Sequence, residues 1–303
     1  MQAPVVLFVY NRADHTKNII KTLSENVGAA ETDLYVFSDA AKSPAGLEKV
    51  NDVRVLINEN DWHKQFKSVT ITEAQENKGL AKSVIDGVSK ILEAYGRVIV
   101  VEDDLVLSPY FLQYMNDALE FYKNDQKIWS VSGYSFPMKS LKKYDHDIFY
   151  SYRGSSWGWA TWDDRWKKTD WEVKEYDEFL KDSSWQKRFN RGGADLTNML
   201  ALQMQGKISS WAVRWVFAQS NLDMYTIYPK SSYVLNEGCD GSGTHSGNTD
   251  AYDTDIEYGS LQCKFETLEI DQKIAREFWY KYSDTLDKKI KRNLKKIFRK
   301  NQG

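Results

Sequence analysis

The first 125 residues alternate short β-branched runs with longer segments of helical periodicity, and this alternation constrains the fold more than any other feature. Four apolar runs predict strands at residues 5–9, 34–37, 68–71 and 97–101. Continuous apolar runs of this length are typical of strands covered on both faces. Between them, helices are predicted from a cap at Asp14, over 47–58 and over 80–95. This β-α-β-α-β-α-β order predicts an α/β fold with a parallel sheet flanked by helices.

Polar side chains follow all four predicted strands. The four segments are Tyr10-Asn11-Arg12, Ser38-Asp39, Glu73 to Asn77, and Glu102-Asp103-Asp104. Parallel strands end at the same edge of a sheet, and ligands of open α/β sheets bind at that edge. Polar loops after strands are ordinary, but they do not account for three adjacent carboxylates after the most hydrophobic strand. The sequence therefore predicts a binding site at this edge.

The triplet Glu102-Asp103-Asp104 supplies hard oxygen ligands of the kind that Mg²⁺ or Mn²⁺ prefers. Such a cation neutralises the charge that develops on a departing nucleoside diphosphate. The alternative is an acidic loop that caps the helix predicted to begin near Tyr110. Neither G-x-x-x-x-G-K-[ST] nor a G-x-G-x-x-G after the first strand is present, which argues against P-loop hydrolases and dinucleotide dehydrogenases.

Composition and charge narrow the class of protein further. The chain has 303 residues, 42% of them hydrophobic and 28% charged, as in ordinary folded proteins. A net charge of −2 gives no reason to expect nucleic-acid binding. Two cysteines, Cys239 and Cys263, are more typical of a reducing compartment than of a disulfide-stabilised protein. Because no leader is recognisable and no apolar stretch approaches the roughly 20 residues that span a bilayer, we expect a cytoplasmic protein.

The second half differs by its tryptophans. Eight of the eleven lie within about sixty residues, at positions Trp157, Trp159, Trp162, Trp166, Trp171, Trp185, Trp211 and Trp215. Secondary structure is mixed here, with a strand predicted over 128–133 and helices over 193–205 and from near Trp211. Aromatic side chains fill cores and also suit the C–H faces of sugars. We expect most of the eight to pack on the sheet, leaving Trp157 and Trp159, which flank Gly158, as the better exposed candidates.

The end of the chain, residues 269–303, predicts a basic amphipathic helix. Its apolar stripe consists of Leu286, Ile290, Leu294, Ile297 and Phe298. Such a helix lies on an anionic membrane surface or packs as a solvated terminal helix on the domain. The resulting organisation has three parts: a nucleotide-binding half at 1–135, an acceptor-binding half of the same domain at 136–268, and this helix.

Several short motifs, taken in order, resemble a known family. In the first half they are Pro4-Val5-Val6-Leu7-Phe8-Val9-Tyr10-Asn11-Arg12, Phe37-Ser38-Asp39, Asn77-Lys78-Gly79-Leu80 and Val100-Val101-Glu102-Asp103-Asp104. In the second half they are Trp157-Gly158-Trp159-Ala160-Thr161-Trp162, Ser210-Trp211-Ala212-Val213-Arg214-Trp215 and the segment from Asn236 to His245. Over residues 3–248 the chain resembles GT-A fold glycosyltransferases. It is similar to bacterial family-two-type sugar transferases and to the N-acetylglucosaminyltransferase that initiates complex N-glycans.

This resemblance implies a role for individual positions. Asp39 would hydrogen-bond the nucleobase, and the other nucleotide-side positions would be Asn11, Arg12, Asn77, Gly79 and Lys82. Glu102 and Asp103 would contact ribose and sugar. Asp104 would bind the metal ion together with His245, although a single His in a Gly-Ser loop is often only solvated. Acceptor contacts would come from Trp157, Trp159 and Trp211.

The catalytic base does not transfer from the family. Inverting members place an acidic residue at the segment that here reads Ile208-Ser209-Ser210-Trp211-Ala212. Three other carboxylates remain as candidates, Asp240, Asp195 and Asp163, since a base must reach the acceptor hydroxyl. Asp240 is preferred because its glycine neighbours permit close approach, although an Asx-turn role is equally consistent with its position.

The function implied is a Mn²⁺- or Mg²⁺-dependent hexosyl- or N-acetylhexosaminyl-transferase. It would move sugar from a nucleoside diphosphate sugar, UDP-sugar in the first instance, to a hydroxyl of a glycan or lipid-linked glycan. It would do so with inversion, in bacterial surface polysaccharide or lipopolysaccharide synthesis. The alternatives are a retaining enzyme, a catalytically inactive glycan-binding protein of the same fold, and a sugar nucleotidyltransferase, although Tyr10-Asn11-Arg12-Ala13 lacks the glycine-rich loop typical of the last.

Overall fold

The structure is a computed structural model, and it describes residues 2–59, 61–238, 254–258 and 263–283. Two predicted site residues, Asp240 and His245, lie outside these ranges. The predicted apolar stripe at 286–298 lies outside them as well.

Within these ranges, ten strands form two sheets. They are β1 Val5–Val9, β2 Asp33–Ser38, β3 Ser68–Glu73, β4 Arg97–Glu102, β5 Leu105–Leu107, β6 Ile128–Ser132, β7 Ile148–Ser151, β8 Trp159–Trp162, β9 Tyr225–Pro229 and β10 Val234–Asn236. The main sheet has the order β3-β2-β1-β4-β8-β6-β9-β7, in which β8 and β7 run against the other six strands. A small antiparallel sheet pairs β10 with β5.

The helices lie on the faces and at the ends of the main sheet. They are α1 Ala13–Ser24, α2 Leu47–Ile57, α3 Leu80–Tyr95, α4 Phe111–Phe121, α5 Asp163–Trp166, α6 Tyr176–Lys181, α7 Ser183–Phe189, α8 Leu196–Met204, α9 Trp211–Asn221 and α10 Gln272–Lys281. Short 3₁₀ turns include Ser140–Lys143, between β6 and β7, and Asn190–Gly192, before α8. In the part of the chain that the structure describes, no helix is both long and apolar enough to cross a membrane.

The predicted α/β class is confirmed, because the structure has a mostly parallel central sheet flanked by helices. All four predicted N-terminal strands are present and parallel. The helix predicted over 80–95 has those bounds as α3. Two details were wrong. Asp14 lies inside the first turn of α1 and does not cap it. The third strand is exposed or half-buried along its length because it is the edge strand of the sheet.

Strand β8 joins the two halves of the chain in one sheet. It lies between β4 and β6 and runs antiparallel to both, with Trp159 opposite Val100 and Trp162 opposite Arg97. Residues from 136–268 therefore extend the sheet that 1–135 begins. Because β8 runs against β4, it starts at the edge where β4 ends and finishes at the edge where β4 begins.

A cluster of tryptophans packs helix α9 and the turn after β8 onto the sheet. Trp159 is fully buried at its centre, with ring centroids 5.0 Å from Trp211, 4.6 Å from Trp215 and 5.7 Å from Trp166. Five of the eight clustered tryptophans are buried, namely Trp159, Trp162, Trp166, Trp211 and Trp215. The prediction that most of them serve packing is confirmed.

We predict that Trp159→Ala destabilises the protein by about 3–5 kcal/mol, since it removes a large buried ring and leaves a cavity among three other rings. Urea titration followed by circular dichroism measures the loss. Trp279→Ala is the matched control. Its ring is 36% exposed on α10, and it should cost about 1 kcal/mol or less. Equal losses in the two variants would contradict the assignment of Trp159 to the core.

Helix α10 is fixed to the domain by its cap, its buried face and one side chain. Asp271 caps it by accepting hydrogen bonds from the backbone N–H groups of Lys273 (2.7 Å) and Ile274 (3.0 Å). Ile274 and Phe278 are buried. The Glu277 carboxylate accepts the backbone N–H groups at positions 139 and 140, at 2.7 and 2.9 Å. Of the predicted C-terminal helix, this part, 272–281, is observed.

The Glu277 interaction predicts a pH dependence of stability. Burial raises the pKa of Glu277, but the hydrogen bonds from Ser140 and Lys139 outweigh burial, so the pKa lies below its ordinary value. The stabilisation is therefore complete above the ordinary glutamate pKa of about 4.3 and declines as pH falls through the lower folded-state value.

We expect Glu277→Gln to cost about 1 kcal/mol at pH 7, with the difference from wild type shrinking as the pH is lowered below about 4. Urea denaturation at a series of pH values measures it, with the exposed Glu178→Gln on α6 as control. A difference that is independent of pH would show that the carboxylate charge does not hold this contact.

Candidate functional site

The ends of β1 and β4 bring one guanidinium and three carboxylates together. Arg12 follows β1, Glu102 ends β4, and Asp103 and Asp104 form the turn that leads into β5. Arg12 Nη2 pairs with Asp103 Oδ1 and lies 3.1 Å from Asp104 Oδ2, while Nε lies 3.4 Å from Asp103 Oδ2. The structure therefore brings together two of the four predicted polar segments, those that follow β1 and β4, and Arg12 pairs with both aspartates.

The charges of this cluster perturb one another. Burial raises the pKa of Glu102 well above its ordinary value, and the negative charges of Asp104 and Asp103 raise it further. Burial also raises the pKa of Asp103, against the opposing effect of Arg12. Arg12 pairs with two of the three carboxylates, so the group carries excess negative charge when ionised. A cation or a cation-bound ligand is the natural complement to such a group.

One wall of the site is the chain that leaves β10. Asn236 pairs with Leu105, and the Glu237 backbone N–H donates to the Asp104 carbonyl at 2.8 Å. A Cβ atom on Gly238 would lie 2.2 Å from Asp104 Oδ2, so any side chain here would displace the Asp104 carboxylate. The backbone at Gly238 thus lies directly against the Asp104 carboxylate.

Helix α1 holds the same wall from the other side. Glu237 Oε2 accepts a hydrogen bond from Asn18 Nδ2 at 3.4 Å and lies 3.9 Å from His15 Nδ1. His15 also lies close enough to Asp103 to lower its pKa slightly, against the larger effect of burial. The sequence motifs assigned no role to His15, Glu237 or Gly238. The signal that could have found His15 is its place in the sequence, one turn after Arg12 at the start of the first helix.

The donor set can be tested against a metal ion. Among the described residues, no three His, Cys, Asp or Glu side chains are arranged to hold a metal ion. Mg²⁺ nevertheless uses one or two carboxylates, with phosphate and water oxygens completing its shell. The oxygen-only donors here, with Asp104 at the mouth of the cluster, fit an ion of that kind.

The second part of the site lies after β2, where Asp39 organises the turn before α3. Its carboxylate accepts the backbone N–H groups of Lys78 (2.9 Å) and Gly79 (2.8 Å), the Asn77 side-chain amide (3.1 Å), and the N–H of Ala40 (2.9 Å). Asn77 also donates to the Ala40 carbonyl at 2.7 Å. The predicted residues Asp39, Asn77 and Gly79 are therefore one hydrogen-bonded unit.

Two other predicted nucleotide-side residues stand apart from this unit. The Lys82 ammonium lies on the exposed surface of α3, 3.0 Å from Asp86 Oδ2. Asn11 is half-buried beside Arg12 at the end of β1.

Two of the three candidate bases, Asp195 and Asp163, form ion pairs with other side chains. Asp195 makes a two-pronged ion pair with the half-buried Arg153, Nη1 to Oδ1 at 2.8 Å and Nη2 to Oδ2 at 3.0 Å. Asp163 follows β8 and lies beside Gly96, which precedes β4. Glu102 is at the other end of β4, and the strand between these two ends is about 16 Å long. Asp163 pairs there with Lys167 at 2.6 Å. The structure thus removes Asp163 from the site and gives Asp195 a structural partner.

Of the three predicted acceptor tryptophans, two are buried and one is half-buried. Trp159 and Trp211 are buried in the tryptophan cluster, which assigns them to core packing instead of an acceptor surface. Trp157 is half-buried, with its ring 4.6 Å from that of Tyr134. The adjacent Gly158 packs tightly on Val234 of β10, so Trp157 lies at the same edge of the sheet as the carboxylates.

Comparison with known proteins gives a structural likeness only. No family model matches the chain, and no curated protein matches it. Among solved structures, residues 1–349 of Staphylococcus aureus TarS match with 11% identity and a TM-score of 0.43, over 79% of this chain and 61% of that one. The same fragment with UDP gives 11% identity and 0.43 over 77% and 60%, and with UDP-GlcNAc 10% and 0.39 over 77% and 58%. This chain therefore spans about three fifths of the TarS fragment.

We predict that Asp39→Asn loosens the turn before α3. The amide has one acceptor oxygen in place of two, and its NH₂ group faces backbone donors that then lack a partner. Hydrogen exchange measured by mass spectrometry should show faster exchange over residues 77–79 in this variant. Asp52→Asn, on the exposed face of α2, is the control and should leave the exchange unchanged. Unchanged protection in Asp39→Asn would refute the positioning role.

Proposed function

We propose that the protein is a glycosyltransferase of the GT-A type whose donor is a nucleoside diphosphate sugar, in the first instance a UDP-sugar. The observation that carries the proposal is the meeting of Arg12 with Asp103 and Asp104 at the carboxyl edge of a parallel sheet. Ligands of open α/β sheets bind at this edge. A diphosphate with a divalent cation complements a cluster with more carboxylates than cations.

In this mechanism Asp104 would hold Mn²⁺ or Mg²⁺. When bound, the ion supplies charge neutralisation to the departing diphosphate. Arg12 keeps the two aspartate side chains in one orientation, since it pairs with both. Glu102 and Asp103, the two residues before Asp104 in the chain, would accept hydrogen bonds from ribose and sugar hydroxyls.

Asp39 serves the donor by fixing the shape of its pocket. Its carboxylate accepts four hydrogen bonds, three of them from Asn77, Lys78 and Gly79. The turn at 77–79 and the end of β2 therefore form one rigid boundary of the proposed nucleotide pocket, and a base bound there would meet a preformed surface.

For acceptor activation, Asp240 stays the proposed base. It follows Gly238, the residue against Asp104, by two positions in the sequence, whereas Asp195 and Asp163 are paired elsewhere. Trp157 is the acceptor contact that this proposal keeps. The acceptor is a hydroxyl of a glycan or lipid-linked glycan of the bacterial surface, and the transferred group is a hexosyl or N-acetylhexosaminyl unit, with inversion.

We expect the purified protein to hydrolyse or transfer from UDP-sugars only with Mn²⁺ or Mg²⁺, and Asp104→Asn to lower this turnover by at least about a hundredfold. Asp52→Asn, a carboxylate change of the same kind on the exposed face of α2, should retain full turnover. Release of UDP is the measurement. Metal-independent turnover that Asp104→Asn leaves unchanged would refute the proposal.

The second candidate function is that of a catalytically inactive binding protein. It is favoured by the segment at 208–212, which has no acidic residue where the inverting enzymes carry one. Ser210 caps α9 by accepting the Val213 N–H at 3.3 Å, so this segment has a structural role and carries no base. If calorimetry finds UDP-sugar and metal binding while no acceptor supports transfer or hydrolysis, this candidate is preferred. If transfer occurs, the anomeric configuration of the product, read by NMR, separates inversion from retention.

A further inference from the structure

The outward side of α10 is a compact cationic and aromatic surface. Four exposed side chains form it, and we call them the α10 face: Lys273, Arg276, Trp279 and Tyr280. At about 100° per residue they occupy the side of the helix opposite Ile274 and Phe278, which are buried. Trp279 is 36% exposed and Tyr280 41%. Two aromatic rings and two cations thus lie side by side on one exposed helix surface.

The acidic groups at the start of α10 and within it bind backbone N–H groups. Glu277, the one acidic residue between Gln272 and Lys281, is bound to the backbone of the 3₁₀ turn Ser140–Lys143. Asp271 accepts the first N–H groups of the helix. Both carboxylates are therefore bound to backbone N–H groups.

The 3₁₀ turn extends the same charge. Because Glu277 binds the N–H groups at 139 and 140, the turn lies along the side of α10 that carries Lys273 and Tyr280. Lys139, Lys142 and Lys143 are all exposed there. Two segments that are far apart in the chain together present a group of cations on one surface.

The chemistry of this surface suits the boundary between water and lipid. Tyr and Trp are favoured where one end of the ring is in an apolar medium and the other is wet, and Lys and Arg side chains extend past them to headgroups. Cations near an anionic leaflet are attracted to it at short range. The sequence after Ser283 adds eight Lys or Arg and only two Asp, which continues the same charge.

We propose that the α10 face, with the adjoining lysines, binds the surface of an anionic lipid bilayer peripherally. The occupant is the bilayer because the exposed rings lie among cations, whereas a purely acidic partner would need only the charges. The binding itself does not depend on the proposed enzymatic function.

The packing of α10 relates the proposed membrane contact to the edge of the sheet that carries Trp157. Phe278 packs on Phe136, with ring centroids 5.0 Å apart, and Phe136 adjoins Tyr134, whose ring contacts Trp157. Helix α10 is thus connected, through the buried side opposite the α10 face, by packed rings to the edge that carries Trp157. If the proposed function holds, membrane binding at this face would bring that edge close to acceptors carried on lipid.

Flotation of the full-length protein with vesicles tests the proposal, without donor or acceptor, so its outcome is separate from the enzymatic one. We expect the protein to bind phosphatidylcholine vesicles that contain about 30% phosphatidylglycerol, to bind pure phosphatidylcholine vesicles little, and to bind more weakly as the salt concentration is raised.

The double variant Lys273→Gln/Arg276→Gln should lower the partition coefficient about thirtyfold. Trp279→Ala should also lower it. Lys49→Gln/Lys90→Gln, which neutralises two exposed lysines on α2 and α3, is the matched control and should bind as wild type.

Three results would overturn the proposal. The first is no binding of the full chain to anionic vesicles. The second is equal loss in the α10-face variant and the control, which would mean that net charge or another segment is responsible. The third is concentration-dependent dimerisation that only the α10-face variant loses, without vesicle binding, which would assign the face to a second copy of the chain. Circular dichroism of each variant confirms that its fold is intact.

Discussion

The pairing of β8 with β4 on one side and β6 on the other is the contact on which the rest of the structure depends. It converts two sequence halves of different composition into one sheet. Its antiparallel direction decides which residues reach which edge. The chain that enters β8, with Trp157 and Gly158, lies where β4 delivers its carboxylates, and the chain that leaves it lies at the far edge. The buried ring of Trp159 then packs α9 against the same strand.

At the carboxyl edge of the sheet, electrostatic interactions govern the arrangement of side chains. Burying carboxylates is costly unless they are paired, and here one guanidinium serves two aspartates while a third acid lies beside them. The protein bears this cost where the parallel strands end, and the rest of the cluster is held by backbone groups of β5 and β10. An arrangement with uncompensated charge is poor for stability and well suited to a ligand that carries the missing cation.

Much of the first half was predictable because its signals are local. Strand β1 is apolar throughout, α3 has a clean helical period, and both were located to the residue. The rest depended on long-range pairing. Asp163 looked available because the direction of β8 cannot be read from local pattern, and the partner of Asp195 is Arg153, 42 residues away. Trp157 and Trp159 were indistinguishable by pattern, yet the strand begins at Trp159 and buries only that one of the two.

The contact between Gly238 and Asp104 has a thermodynamic consequence. The backbone touches a carboxylate with no side chain between them, so neither can shift without displacing the other. Whatever a ligand does to the orientation of Asp104 is therefore felt by the chain that leaves β10, and the position of that chain changes affinity at Asp104 by the same free energy. The two form a reciprocally coupled pair, joined by this contact and by the hydrogen bond from the Glu237 N–H to the Asp104 carbonyl.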